Sequence, residues 1–226
     1  MIHLHLLKGI EMKKVFIGTP TIDQKVNTGY LETILALSSL APDYAFPVFT
    51  LGSNSSINDA RNQIASIFLT TDCDFLFFLD SDVAIPDVRD VKYLLEADKP
   101  ISGIPILRKN AQNPTLNVGE FLEATAEPLV KVKGMATGAL LIKREVIEAF
   151  KDCDTYNIDD AHIINNSDLQ KPVFYDMFHS GIIDGHYTHE DYYFCHEAQK
   201  RGFDTYAHVK AKSIHFGTIP FYFGGI

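Results

Sequence analysis

The sequence predicts an α/β fold of three layers, a mainly parallel central sheet with helices on both faces. Phe75–Leu79, FLFFL, is an apolar run without polar alternation, which suits a strand covered on both sides in the middle of a parallel sheet. Around it, strand-like runs take turns with stretches whose apolar residues recur at helical spacing. Two acids, Asp80 and Asp82, then follow the central run one residue apart. Ligands of open α/β sheets bind beyond the carboxyl ends of such strands, so these carboxylates emerge where a ligand would sit.

A length of 226 residues fits one sizeable domain, taken here as 1–226. With 46% hydrophobic and 22% charged residues the composition is that of a soluble globular protein rather than a disordered or membrane one. No apolar run approaches the roughly 20 residues that span a bilayer. The amino end, MIHLHLLKGIEMKK, makes a poor signal peptide because its basic residues follow the apolar patch and Glu11 interrupts it. Residues 1–11 read as a peripheral extension before a second start at Met12. Cys73, Cys153 and Cys195 are widely spaced and form no C-x-x-C, which fits a reducing cytoplasm and argues against a disulfide framework or cysteine zinc site. A net charge of −9 gives no general footprint for nucleic acid.

Taken in order, Lys14–Gly18 is a first buried strand, broken at Gly18-Thr19-Pro20, so Thr19–Asp23 should face the ligand crevice. A helix follows from about Thr28 to Leu40, with Leu31, Ile34, Leu35 and Leu37 or Ser38 inward. Ala45–Leu51 is a second strand, irregular at its start because of Pro47. Ser56-Ile57-Asn58-Asp59 has the form of a capping box, opening a helix with an inner stripe of Ile57, Ala60, Ile64, Ile67 and Phe68. Arg61 and Asn62 fall off that stripe. A cation early in a helix opposes the macrodipole, so Arg61 calls for a phosphate or carboxylate partner unless it is an ordinary surface arginine.

Beyond the acidic stretch, Asp87–Ala97 reads as a helix and Ile101–Leu107 as an apolar strand running into Arg108-Lys109. Residues 110–133 read as a loop and hairpin. Gly134–Gly138, GMATG, is a small-residue turn that admits close approach of a ligand, and it feeds a buried strand, Ala139–Ile142. A helix over Arg144–Phe150 comes next. Residues 153–170 form a polar loop suited to facing an acceptor, and Pro172–Phe178 is a strand. His189-Glu190-Asp191 starts a helix to about Lys200 with Gly202 as its stop, and acids in its first turn suit the dipole. Two short strands, Phe203–Ala207 and Lys210–His215, lead to an aromatic tail, GTIPFYFGGI, that fits neither helix nor strand.

Acids two apart in an extended or turning segment can converge on one cation. Mg²⁺ and Mn²⁺ favour oxygen ligands and usually share them with substrate phosphates, which makes Asp80-Ser81-Asp82 a candidate metal–diphosphate site. The alternative for an isolated D-x-D is a helix cap and a solvated turn before Asp87.

Together the strand ending in proline, the capped helix with Arg-Asn, the buried strand with DSD, the glycine turn, the helix-opening Glu-Asp and the late His-Phe-Gly resemble nucleotide-sugar glycosyltransferases of the GT-A fold. The resemblance spans about Lys13 to Gly217, and TPTIDQKV, ARN and FLDSDV look like the compact versions common in bacteriophage and bacterial genomes. It implies a GT-A (Rossmann-like) sandwich, a nucleoside-diphosphate sugar, UDP-linked by preference, as donor, and Mn²⁺ or Mg²⁺ as cofactor. Residue by residue, it implies that Asp80 faces the ribose, that Asp82 binds metal, and that His215 completes the metal–diphosphate site. Gly138, in the glycine loop, would lie near the donor sugar, and Thr19, Pro20 and Asp23 would meet the nucleotide base. Arg61, Ser81 and Lys109 would meet the nucleotide or its diphosphate. Glu190 and Asp191 match the acidic pair on the acceptor side, with Asp191 the general base of an inverting displacement. The family's larger members carry acceptor-binding segments that this chain lacks, and His189 stands where many have a small residue. The acceptor class therefore stays open between a glycan, a small hydroxylated molecule and a modified base in phage DNA. Two other readings share the residues: a metal-dependent phosphoesterase or nuclease, which would turn over phosphodiesters without a sugar donor, and a nucleotide-sugar-binding module, which would bind donor without releasing nucleoside diphosphate.

Overall fold

The computed structural model describes residues 12–110, 112–113, 115–123, 125–157, 173–217 and 220–225. Expectations for residues 1–11, and for 158–170 of the polar loop, lie outside the described residues.

The chain begins with β1 (Lys13–Pro20), α1 (Thr28–Leu37), β2 (Tyr44–Ala45), β3 (Val48–Leu51), α2 (Ile57–Leu69) and β4 (Phe75–Leu79). It continues through β5 (Val83–Ala84), α3 (Arg89–Ala97), β6 (Ile101–Gly103), β7 (Leu129–Val132), β8 (Ala139–Lys143) and α4 (Arg144–Glu148). Last come β9 (Thr155–Tyr156), β10 (Phe174–Tyr175), β11 (Gly181–Ile183), β12 (His186–Thr188), α5 (Glu190–Lys200), β13 (Thr205–His208), β14 (Ser213–Phe216) and β15 (Pro220–Phe223). Eight strands form the main sheet, in the order β2-β1-β4-β8-β6-β13-β7 with β3 also on β1. β1 runs parallel to β2, β3 and β4, and β6 runs parallel to β13. β8 is inserted antiparallel between β4 and β6, and β7 closes the far edge antiparallel to β13. The sheet is thus mainly parallel, as expected, with two reversed strands.

β4 explains its own lack of a polar face. Phe75, Phe77 and Leu79 pack in one cluster with Tyr30 and Leu37 of α1 and Val91, Leu94 and Leu95 of α3. Leu76 and Phe78 pack on the other side with Ile64 and Phe68 of α2, Val146 and Ile147 of α4 and Phe194 of α5. All five strand residues are buried, so both faces of the strand are core and the molecule has three layers.

Several elements differ from expectation for physical reasons. On α1 the inward residues are Gly29, Tyr30, Thr33 and Leu37, while Leu31 and Leu35 are exposed. Thr33 turns inward because its hydroxyl donates to the Gly29 carbonyl (2.9 Å) and accepts from the Ile85 amide (2.9 Å), tying the helix to the segment after β5. Ser56 caps α2 as the sequence suggests, its hydroxyl accepting from the Asp59 amide at 3.4 Å. The helix is buried over a wider arc than its apolar stripe, including Arg61, Asn62, Gln63 and Ser66, and Ile57 is exposed. Residues 174–180 cover that polar side: the Phe178 amide donates to Asn62 Oδ1 (2.7 Å), the Tyr175 amide to Ser66 Oγ (3.0 Å), and Asn58 Nδ2 to Ser180 Oγ (2.9 Å). Pro47 splits the second strand into β2 and β3. The expected strands over 101–107 and 172–178 are shorter, confined to β6 and β10. Gly202, at φ +88°, ends α5 as predicted. The aromatic tail corrects its expectation: residues Pro220–Phe223 form β15, pairing with β14, which in turn pairs antiparallel with β5. That small sheet fixes the candidate site, since its register sets His215 opposite Val83, next to Asp82.

Candidate functional site

At the carboxyl ends of β1 and β4 lies a cavity of about 660 Å³ lined by Pro20–Asp23, Lys25–Asn27, Asn54, Ser55, Ile57, Ala60 and Asp80–Asp82. Of the residues assigned to the nucleotide, Pro20, Asp23, Asp80 and Ser81 line it. Thr19 does not: it is fully buried, its hydroxyl 2.7 Å from the Tyr30 hydroxyl, and Thr21 takes the facing position. Alternation along β1 turns Thr19 toward Tyr30 of α1 and Pro20 the other way, while Thr21 lies just past the end of the strand. Asp23 pairs with Lys25 at 3.0 Å, and Thr21 donates to the Lys25 carbonyl (2.9 Å), so the loop over the cavity is braced by its own polar groups.

The two acids of the DSD motif part company. Asp82 accepts a short contact from Lys109 and lies 3.5 Å from His215 Nε2. Burial pushes its carboxyl up, but the hydrogen bonds from His215 and Lys109 outweigh this and leave its pKa below the ordinary value. His215 Nδ1 is 2.7 Å from the Leu107 carbonyl. A carbonyl can only accept, so Nδ1 carries a proton, and Nε2 is the ring nitrogen left facing Asp82. This is the second-shell arrangement that orients a metal-binding imidazole. Asp82 and His215 therefore fit a divalent cation that takes its remaining ligands from water and phosphate. Asp80 is turned elsewhere. Its two oxygens accept from Arg61 Nη1 (3.2 Å) and Nη2 (3.4 Å), and among the described residues no group of three or more His, Cys, Asp or Glu side chains gathers as a metal cluster.

Arg61 was expected to meet the diphosphate, and its geometry corrects this. Its guanidinium is buried, with 4% of the residue exposed, and its Nε lies 3.5 Å from Glu190 Oε1. The carboxylate partner that its helix position called for is thus supplied by the protein twice over. Gly138 abuts the other side of Asp80. A Cβ there would sit 3.1 Å from Asp80 Oδ2 and 2.6 Å from Ile106 Cδ1, and the Gly138 carbonyl accepts from the Asp80 amide at 3.0 Å. The glycine leaves room for the Asp80 carboxylate. Lys109 is bound to Asp82 and would reach a phosphate only alongside it.

Glu190 and Asp191 open α5 and help line a second cavity, of about 530 Å³, with Arg108, Asn117, Tyr187, Thr188, His189 and Tyr192. The place of Asp191 in the first turn of α5, and a nearby metal, were expected to keep it ionised near neutral pH, and a pKa of about 6 leaves it mostly so. Burial, and then the neighbouring Glu190 charge, push its pKa up to about 6, against weaker opposing effects of the Tyr192 amide, Arg61 and His189. A carboxylate so tuned is a better base at neutral pH than an ordinary one while remaining mostly ionised. Sequence reasoning missed Asn27, Asn54, Asn117 and Tyr192. Asn27 carried a signal as the residue before the helix, whose N-cap it forms, its Oδ1 accepting from the Gly29 amide (3.0 Å). Tyr192, whose hydroxyl reaches Asn117 Oδ1 at 3.3 Å, carried none.

No protein-family model matches the chain, and no curated protein matches it. Among solved structures, it superposes on A197 from STIV with a TM-score of 0.56 and 19% identity, over 91% of this chain and 86% of that one. This likeness supports the fold alone. Looser overlaps, from which nothing is argued, include a glycosyltransferase involved in the glycosylation of the major capsid of PBCV-1 (TM-score 0.34, 11% identity, 60% of this chain and 62% of that one). Another is HddC from Yersinia pseudotuberculosis (TM-score 0.31, 10% identity, 62% and 80%). Among the described residues no helix is long and apolar enough to cross a membrane.

Proposed function

We propose that the chain is a metal-dependent glycosyltransferase that moves a sugar from a nucleoside-diphosphate sugar, UDP-linked by preference, to an acceptor hydroxyl. One observation carries this reading. Two cavities, one edged by Asp80 and Asp82 and the other by Glu190 and Asp191, are joined through a single buried arginine that touches a carboxylate of each. In this reading the first cavity takes the nucleoside diphosphate, its base against Pro20, Thr21 and Asp23, with Ser81 alongside. Asp82 and His215 would hold Mn²⁺ or Mg²⁺, and that cation, when bound, neutralises charge developing on the diphosphate. Lys109, beside Asp82, adds a fixed positive charge toward the same phosphates.

The second cavity takes the acceptor. Its hydroxyl oxygen forms the new bond to the anomeric carbon as the bond from that carbon to the diphosphate oxygen breaks. The leaving electron pair departs with the diphosphate, and the acceptor proton passes to Asp191, which is ionised above about pH 6. One displacement from the face opposite the leaving group inverts the anomeric centre. A thermal-shift screen of nucleoside diphosphates and sugar nucleotides with and without Mn²⁺ tests the reading. A rise in melting temperature that needs both nucleotide and Mn²⁺ is expected. No shift with any nucleotide would reject it, and turnover of phosphodiesters without a sugar donor would replace it with a phosphoesterase.

A further inference from the structure

Arg61 lies in the first half of α2, where a cation gains nothing from the helix dipole, and its guanidinium is almost wholly out of water. Burial of a guanidinium is unfavourable unless its donors are matched. Here they are matched by two carboxylates far apart in sequence: Asp80, at the end of β4, through both oxygens, and Glu190, at the start of α5, through Nε at 3.5 Å. The Phe78 ring covers the group, its centroid 5.4 Å from Cζ. α2 is packed independently through Ile64, Ala65 and Phe68. What the arginine does fix is the rotamer of Asp80, pressed between it and Gly138, and the position of Glu190 relative to Asp80.

Resting on the transferase reading above, we infer that Arg61 is a positioning residue: it yokes the donor-side carboxylate Asp80 to the acceptor-side pair Glu190-Asp191 and sets the spacing between the two half-sites. Its planar fork is what allows this. An ammonium in its place supplies the charge but not a two-oxygen grip on Asp80 together with a third bond to Glu190. The same guanidinium tempers repulsion in an acidic neighbourhood. Asp191 is faced by Glu190, His189 and Tyr192 from its own helix and cap, by Arg61 from α2, and by Arg108 and Tyr187 across the cavity. Without Arg61 the acids there lose a buried counter-charge.

Two substitutions separate grip from charge. Arg61→Lys keeps the charge, and its Asp191 carboxyl, followed by ¹³C NMR, should titrate near the wild-type pH, while kcat/KM for transfer falls ten- to a hundredfold through misplacement. Arg61→Met should move the Asp191 titration upward, with the acid limb of the pH–rate profile moving in step. A lysine variant with full kcat and KM would overturn the inference, as would a methionine variant whose Asp191 titration is unmoved. Should Arg61→Met fail to fold, the lysine kinetics decide alone. Failure of the transferase reading is distinguishable: wild-type protein would then release no nucleoside diphosphate, while the NMR titrations would still report whether Arg61 governs the acidic pair.

Discussion

Replacing Asp191 by asparagine should make the protein more stable and less active at the same time. The carboxyl has a pKa of about 6 against an ordinary 3.8, a difference of about two units. Each unit corresponds to about 1.4 kcal/mol, so holding Asp191 charged in the fold costs about 3 kcal/mol. Because the folded-state pKa is raised, that cost is absent below about pH 3.8, grows as pH rises, and is complete above about pH 6. Asparagine keeps the size, can still accept from the Tyr192 amide as Asp191 Oδ1 does at 2.8 Å, and carries no charge. At about 2–4 °C per kcal/mol for a domain of this size, Asp191→Asn should melt about 6–12 °C higher at pH 7.5, with the gain vanishing near pH 4. Sugar transfer should fall by about two to four powers of ten while donor affinity survives. Thermal melts across pH, paired with nucleoside diphosphate release, measure both halves. A variant that melts lower at neutral pH, or transfers sugar at the wild-type rate, refutes the assignment of Asp191 as a buried base.

Three further substitutions test other parts of the structure. Asp82→Ala should abolish the Mn²⁺-dependent part of nucleoside diphosphate affinity, read by calorimetry, and leave the melting temperature in metal-free buffer within a few degrees. Gly138→Ala places a methyl 3.1 Å from Asp80 Oδ2 and 2.6 Å from Ile106 Cδ1, so kcat/KM should fall at least tenfold, with a stability loss of about 1–3 kcal/mol in urea titration. Phe178→Ala removes a fully buried ring stacked on Phe194 (4.4 Å between centroids) and edge-on to Phe78 (5.3 Å), and should cost about 3–5 kcal/mol in the same titration.

Features governed by local chemistry were legible in the sequence. An apolar run with no polar face announced the central strand, Ser56 and Gly202 marked helix ends, and the acids after β4 marked the cavity. Features governed by distant partners were not. Nothing near Leu31 or Leu35 reveals that Thr33, through the Ile85 amide, turns the helix so that both leucines face out. Asn62 falls off the apolar stripe of α2 and is buried only because residues 175–178 are laid over it and its neighbour Ser66. The tail looked shapeless because its order comes from pairing with β14. In the site, Arg61 announced its need for an anionic partner through its place on α2, but that both partners would be site carboxylates depends on where α5 comes to rest. The raised pKa of Asp191 is a matter of burial at the start of α5, which periodicity does not encode.

Binding of the cation and nucleotide beside β4 is the central claim, and a crystal grown with UDP and Mn²⁺ tests it most directly. Diffraction at the manganese edge should show one anomalous peak between Asp82 and His215, bridging to the diphosphate, with the base over Pro20, Thr21 and Asp23. A peak anywhere else, or a nucleotide bound with no manganese at Asp82, would contradict the account.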